Sequence, residues 1–417
     1  MTMPSFEGFV LPGGISSNGR LLPDVDGLPF KVASSAGASI IDEQGRSYVD
    51  YAMAMGATIL GHAHPEVVDA ICLAAHRGPM PGFAHSGEEE AAEALTAYTG
   101  PLRRATFVNT GSEAVHLACR IARKLTGRPM MVKIGGGFDG WYDEVLFGLS
   151  GSLEAAWGGA RPVRGKMTLV RYNDLGDVDS LFAERDDIAG VIIEPLLANA
   201  GCIEADPVFM QYLVAKARQA GAIIIADEVL AGLRLHPGLS SQRLGWSPDL
   251  ATMGKAIGSG VPVAALLGTD EAFAPIIKGE VTRAGTYNGN PLVCAAVTAT
   301  MKLLASSDYD RLHAIGSRLR RTIEEAFGEK GIQVRTSGWD SVFSVWYADH
   351  RPHDYAQAMR CLNPEKTHRI HTELRRQGIL TMPSPWGRMF VSFAHRDQDI
   401  SVTKNAFCYV VRQLTDE

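Results

Sequence analysis

The feature that most restricts the fold is an alternation in the middle of the chain. Seven short runs rich in β-branched and other apolar residues lie at 105–109, 130–134, 167–172, 188–194, 221–228, 249–254 and 263–269. Helix-length segments separate them. A strand buried on both faces reads as an unbroken apolar run, and parallel neighbours need long crossovers. The pattern predicts an α/β architecture, a mainly parallel seven-stranded sheet covered by helices. Helix signals fall where this requires them. Apolar residues at 115, 118, 119 and 122 make one helical stripe in 112–127, and Gly127 stops it. In 207–221, Pro207 follows Asp206 and Gly221 closes, the usual asymmetry of helix ends.

The last third has a different character. Residues 308–331 form a charged amphipathic stretch, followed by mixed segments at 342–348 and 388–395. Residues 38–51 read as a hairpin turning at Glu43–Gly45. With 417 residues the chain has room for two or three domains. The expected organisation is a large domain over 51–300 and a smaller α+β domain assembled from residues 1–50 and 301–417. A net charge of −6 speaks against nucleic acid as a partner, which favours a basic face. No apolar run approaches a membrane span, and the start MTMPSFEGFVLPGG lacks a signal-peptide pattern. The six cysteines show no CxxC pair. They read as buried thiols in a reducing compartment, the cytoplasm.

Residues with chemical potential cluster at the ends of the predicted strands. Lys255, in MGKAIGSG, follows a buried-strand candidate between Gly254 and Ala256. A lysine in so dry a place has a lowered pKa and can form a Schiff base, although a lysine at a strand end can also simply snorkel to water. Asp227 ends the most apolar run, IIIADEVLAG. A carboxylate there needs a cationic partner or strong hydrogen bonds, and a protonated ring nitrogen is one such cation. Capping of a following helix is the plainer alternative, and Glu228 beside it reads equally well as structural. VNTGSEAV puts backbone N–H groups and the Thr110 and Ser112 hydroxyls at a helix start, an anion site for phosphate or else an ordinary serine cap. KIGGGFDG lacks dinucleotide-binding spacing, but its Phe138 could stack on a flat ring. The histidines of GHAHP, without further ligands nearby, read as structural.

Taken together, the order of these segments resembles the class III, fold type I, pyridoxal-phosphate-dependent aminotransferases, and within them the glutamate-1-semialdehyde 2,1-aminomutases and their aminotransferase relatives. LPGGISSNGR, YVDYAMAMGATILGHAHPEVVDAI, FVNTGSEA, IIEP, IADEVLAGLR, PDLATMGKAIGSGVPVAALLG and AGTYNGNP carry the likeness from about residue 12 to 400. The resemblance implies pyridoxal phosphate as cofactor, bound as a Schiff base to Lys255, which also moves the substrate proton. It implies Asp227 at the ring nitrogen, Val229 and Phe138 on the two ring faces, and Thr110, Gly111 and Ser112 at the phosphate. Asn199 falls near the ring hydroxyl. Thr286 reaches the phosphate from the neighbouring subunit, so a homodimer with its site at the interface is implied.

Three positions depart from the aminomutase pattern. Its aromatic–His–Gly triplet is Phe138–Asp139–Gly140 here, a pocket tryptophan corresponds to Met55, and a glutamate near the C-terminus corresponds to Gly387. These changes favour a transaminase that passes an amino group from a carboxylate-bearing donor, such as a β-amino or other non-standard amino acid, to a 2-oxo acid in ping-pong fashion. Arg20 corresponds to the residue that holds the substrate carboxylate, and Arg388 is a second candidate. Both also read as surface arginines. Trp386 and Met55 would form an apolar wall for the substrate. The alternatives are a pyridoxal-phosphate isomerase, either an aminomutase or a racemase, and a regulatory module on the same fold. The last is disfavoured because Lys255 is present and no helix-turn-helix segment precedes residue 12.

Overall fold

In the computed structural model, which describes residues 10–148, 166–382 and 384–415, each of the seven apolar runs supplies one strand of a single sheet. The first nine residues, part of the start read as lacking a signal peptide, lie outside the described residues. Three N-terminal strands precede the sheet: β1 (Val32–Ala36), β2 (Ser39–Asp42) and β3 (Ser47–Asp50). The sheet itself contains β4 (Arg104–Val108), β5 (Met130–Ile134), β6 (Met167–Val170) and β7 (Ile188–Ile193). A two-residue ladder, β8 (Leu196–Leu197) with β9 (Ile203–Glu204), interrupts the series before β10 (Ile223–Asp227), β11 (Leu250–Met253) and β12 (Ala264–Gly268). The spatial order is β4-β12-β11-β10-β7-β5-β6. All neighbours are parallel except β12, which runs antiparallel to both β11 and β4.

The sheet is buried for the reason read from sequence. β5, β7, β11 and β12 are buried at every position, and helices such as Gly111–Thr126 and Pro207–Gln219 supply apolar faces against it. The strand read over 221–228 begins later, at Ile223. Gly221, at φ 69, closes the preceding helix by donating its N–H to Arg218 O at 2.9 Å, so it belongs to the helix end.

The hairpin over 38–51 forms as β2 and β3 with β1 alongside, and β15 (Ile379–Leu380) adds in parallel to β3. The C-terminal segments 342–348 and 388–395 give β14 (Val342–Trp346) and β16 (Arg388–Phe390), in an antiparallel sheet with β13 (Arg335–Trp339). The charged stretch at 308–331 is a helix over Tyr309–Gly328. No described helix is long and apolar enough to cross a membrane.

One turn is strained. Met53, Ala54 and Met55 have φ of 43, 51 and 59, a left-handed run of three non-glycine residues ahead of Gly56 at φ 88. Each such residue costs about 1–2 kcal/mol because Cβ crowds the following carbonyl. Ala54 is exposed, so its methyl contributes no packing. Ala54→Gly is expected to stabilise the fold by about 1 kcal/mol. Thermal or urea unfolding checks this, and an unchanged or lower stability counts against strain at this turn.

Candidate active site

A sheet with this strand order collects its strand ends on one edge. β4, β5, β7, β10 and β11 all point their C-termini the same way, and ligands in open α/β sheets bind at that edge. A cavity of about 270 Å³ opens there. Thr110, Gly111, Ser112, Phe138, Asn199, Asp227, Val229 and Lys255 line it, joined by Asp139, Glu194 and the apolar Val261–Val263.

Lys255 begins a 3₁₀ turn just after β11, with its backbone at φ 45. Burial pushes its amine down to about 8, against the pull of Asp227, which favours the ammonium. The neutral amine, still the minor form at neutral pH but far more abundant than in an ordinary lysine, is what a nucleophilic lysine needs. Asp227 ends β10. Its Oδ1 accepts from the Val229 amide at 3.0 Å and the Thr252 hydroxyl at 3.1 Å, so it closes a local turn and caps no helix. Glu228 is structural: its carboxyl oxygens accept from the Ser240 and Ser241 amides at 3.1 and 2.7 Å, holding the start of a short helix.

The helix Gly111–Thr126 starts one residue before its predicted boundary, and its cap is Thr110 rather than Ser112. Thr110 Oγ1 accepts from the Glu113 amide at 3.3 Å, and Glu113 Oε2 accepts from the Thr110 amide at 2.9 Å, a reciprocal capping box. Ser112 Oγ instead accepts from the Trp141 amide at 3.3 Å. Gly111 has a steric reason: a Cβ there would fall 2.8 Å from Val229 Cγ2. Only glycine lets Val229 approach the helix start. Phe138 is set by Glu194, whose Oε1 accepts from the Phe138 amide at 2.8 Å.

Two buried ionisable groups are not singled out from sequence. Glu194 follows β7, and burial raises its carboxyl well above the usual range, with neighbouring carboxylates adding to it. Lys133 sits inside fully buried β5. Its Nζ donates to Gly137 O and Val145 O, both at 2.8 Å, and lies 3.2 Å from Asp139 Oδ2. The signal was a lysine within the otherwise apolar run MMVKI.

Several predicted residues lie off the cavity. Arg20 is exposed at the end of a 3₁₀ turn. Met55 reaches toward that same turn, since a Cβ on Gly19 would fall 3.0 Å from Met55 Cε. Trp386 is held by rings, 6.1 Å from Trp346 and 6.2 Å from Tyr355 between centroids, and the apolar part of the cavity wall comes instead from Phe138, Val229, Leu230 and Val261–Val263. Thr286 is exposed in the turn 286–289, which is tied to the cavity rim where Asn109 Nδ2 donates to Asn288 Oδ1 at 2.8 Å. Arg388 is buried, not a surface arginine: it is 8% exposed, and its Nη1 donates to Ala198 O at 3.0 Å and Asn199 Oδ1 at 2.9 Å. His62 bonds to Asp50 at 2.8 Å. Among the described residues no cluster of three His, Cys, Asp or Glu side chains is placed to hold a metal.

The class-III aminotransferase family model matches residues 23–407. The chain belongs to the class-III aminotransferase family. A glutamate-1-semialdehyde 2,1-aminomutase from Thermomicrobium roseum is 36% identical over 407 residues, 95% of this chain and 94% of that protein. An omega-transaminase from Sphaerobacter thermophilus superposes with a TM-score of 0.87 at 29% identity, covering 97% of this chain and 94% of that one. A β-phenylalanine aminotransferase from Variovorax paradoxus gives 0.86 at 26% identity, covering 97% and 91%. As a class-III aminotransferase of fold type I, the chain is a pyridoxal-phosphate enzyme. The cavity suits that cofactor: an amine shifted toward neutrality, a carboxylate at a strand end, a capped helix start, and Phe138 and Val229 in the lining, Val229 drawn close by Gly111.

Proposed function

We propose that this enzyme is a transaminase moving the amino group of a carboxylate-bearing donor to a 2-oxo acid. The reading rests on Gly387 and Arg388. Gly387 corresponds to the aminomutase glutamate, yet its backbone is at φ 58 and a Cβ would fall 2.8 Å from Val345 O. No side chain fits there, so the acid is excluded by the backbone itself. Arg388 beside it is left buried with no carboxylate ion-paired to it among the described residues. A buried guanidinium with no ion-paired acid calls for an anion, and its bond to the cavity residue Asn199 sets it beside the cavity. A substrate carboxylate supplies that anion. The apolar stretch Val261–Val263 and the structural likeness to a β-phenylalanine aminotransferase support a hydrophobic donor with its amine α or β to the carboxylate.

In this reading Lys255 holds the cofactor and then takes and returns the donor's proton through Nζ. Asp227 holds a proton at the ring nitrogen. The amides of Gly111 and Ser112 face the phosphate, Phe138 and Val229 hold the ring flat, and Thr286 comes from a second copy of the chain. Pyridoxal phosphate supplies the electron sink for the charge left when that proton departs.

A second reading, an isomerase of the aminomutase kind, has the 36% identical relative in its favour. Adding single donors to the loaded enzyme without an acceptor separates the two. Stoichiometric loss of the visible cofactor band with release of a carbonyl product is expected. Isomerisation of the added compound with the band retained overturns the transaminase reading. Arg388→Ala is expected to raise KM for a carboxylate-bearing donor by about 10–100-fold, the worth of a charged hydrogen bond, with little effect on a neutral amine. Equal effects on both remove Arg388 from carboxylate recognition.

A further inference from the structure

Asp139 stands where the aminomutase pattern has histidine, and its surroundings are built for an acid. The side chain is 3% exposed and lines the same cavity as Asp227. Its backbone, at φ 49, leads into Gly140 at φ 123, where a Cβ would fall 3.0 Å from Ser112 Oγ. The loop is thus pinned against the helix start, and Asp139 has little room to turn away. Behind it, Lys133 has spent two N–H bonds on the carbonyls of Gly137 and Val145, and its remaining direction is toward Asp139 Oδ2 at 3.2 Å. Among the described residues Oδ2 has no hydrogen-bond partner beyond this ion pair. On the other side Asp139 abuts Asp227, carboxyl to carboxyl.

We propose that Lys133, Asp139 and Asp227 form one unit behind the cofactor ring, a cation and two carboxylates whose excess negative charge the protonated ring nitrogen balances, in which Asp139 is a positioning residue that neutralises Lys133 and so sets how firmly Asp227 holds the ring-nitrogen proton. The proposal rests on the assignment of Asp227 to that nitrogen. Its physical basis is the count of buried charges. With Asp139 ionised, the Lys133 cation is matched, and the negative charge of Asp227 serves the ring alone. With Asp139 uncharged, the Lys133 ammonium is left unmatched beside the side chain that adjoins Asp227, and it opposes a second cation on the ring. Burial already raises the Asp139 carboxyl above its usual range, with Lys133 acting against that and Asp227 adding to it. The other groups facing Asp139 are Glu194 after β7, Cys119 on the helix Gly111–Thr126, and Tyr142. Burial pushes the Cys119 thiol up to about 12, raises the Tyr142 hydroxyl further, and raises Glu194 as well. Lys133 and Asp227 are therefore the charges that decide.

The test loads the enzyme with pyridoxal phosphate isotope-labelled at the ring nitrogen and follows that nitrogen's chemical shift against pH, with no substrate present. Asp139→Asn keeps the side chain's shape and removes its charge. Loss of the ring proton is expected at a pH lower by about one unit or more than in the parent. The double variant Asp139→Asn with Lys133→Met removes a neutral pair and is expected to return the titration to the parent's. Superimposable curves for the parent and Asp139→Asn overturn the proposal. A shift that the double variant fails to reverse also overturns it, since it points to a steric role. If Asp139→Asn alone does not fold, the double variant decides: it must fold, bind the labelled cofactor and titrate as the parent does. Asp227→Asn is expected to lose ring protonation in every background. If it does not, the assignment of Asp227 falls, a failure distinct from that of Asp139.

Discussion

Lys255→Ala is expected to lower amino transfer by about 10⁴-fold, the upper range for a positioned proton-transfer group, and to eliminate the visible band of the covalently held cofactor. In the proposed reading the amine is the nucleophile and the proton carrier at once, so no neighbour replaces it. The other cations that Lys255 feels are Arg388 and Arg234, both guanidiniums that remain protonated. The effect on folding is expected to be small or favourable, because burial disfavours the ammonium. The same burial fixes a pH dependence. Below about 8 the neutral amine is the minor form, and it grows about tenfold per pH unit. Capture of added pyridoxal phosphate by cofactor-free enzyme, read as growth of the band, is expected to rise along that curve and level off above it. Substantial turnover in Lys255→Ala removes this residue from the chemistry. A flat pH profile of capture counts against a depressed amine.

Asp227→Asn is the second large effect, expected to reduce turnover by about 10²–10³-fold, comparable with removal of one preorganised electrostatic partner. The substitution is nearly isosteric. An asparagine carbonyl still accepts from the Val229 amide and the Thr252 hydroxyl, the two bonds that Oδ1 accepts now. The fold therefore survives while the charge disappears, and the loss is expected in kcat rather than KM. A thermal melt equal to the parent's with turnover reduced separates chemistry from stability. Retained turnover shows that the charge of Asp227 is dispensable.

Local pattern was enough for the sheet. Its strands are continuous apolar runs because both faces are covered, and this burial is written residue by residue in the chain. The strand-end positions of Lys255, Asp227 and the Thr110–Ser112 turn follow from the same reading, since a polar residue that closes an apolar run lands on the sheet edge. The helix start was read one residue late, because Thr110 with Glu113 makes a capping box that outcompetes Ser112. Other properties depend on residues far apart in sequence. Lys133 looked like one lysine among others until the sheet buried it beside Asp139. Arg388 read as a carboxylate candidate or else a surface side chain, and folding sets it buried against Ala198 and Asn199, 190 and 189 positions away. Sequence alone determined the architecture and the strand-end places of Lys255 and Asp227, because strand burial and helix capping are local. Only the tertiary structure decided which charges are matched, because the cost of a buried charge depends on neighbours that the chain brings together at the end of folding.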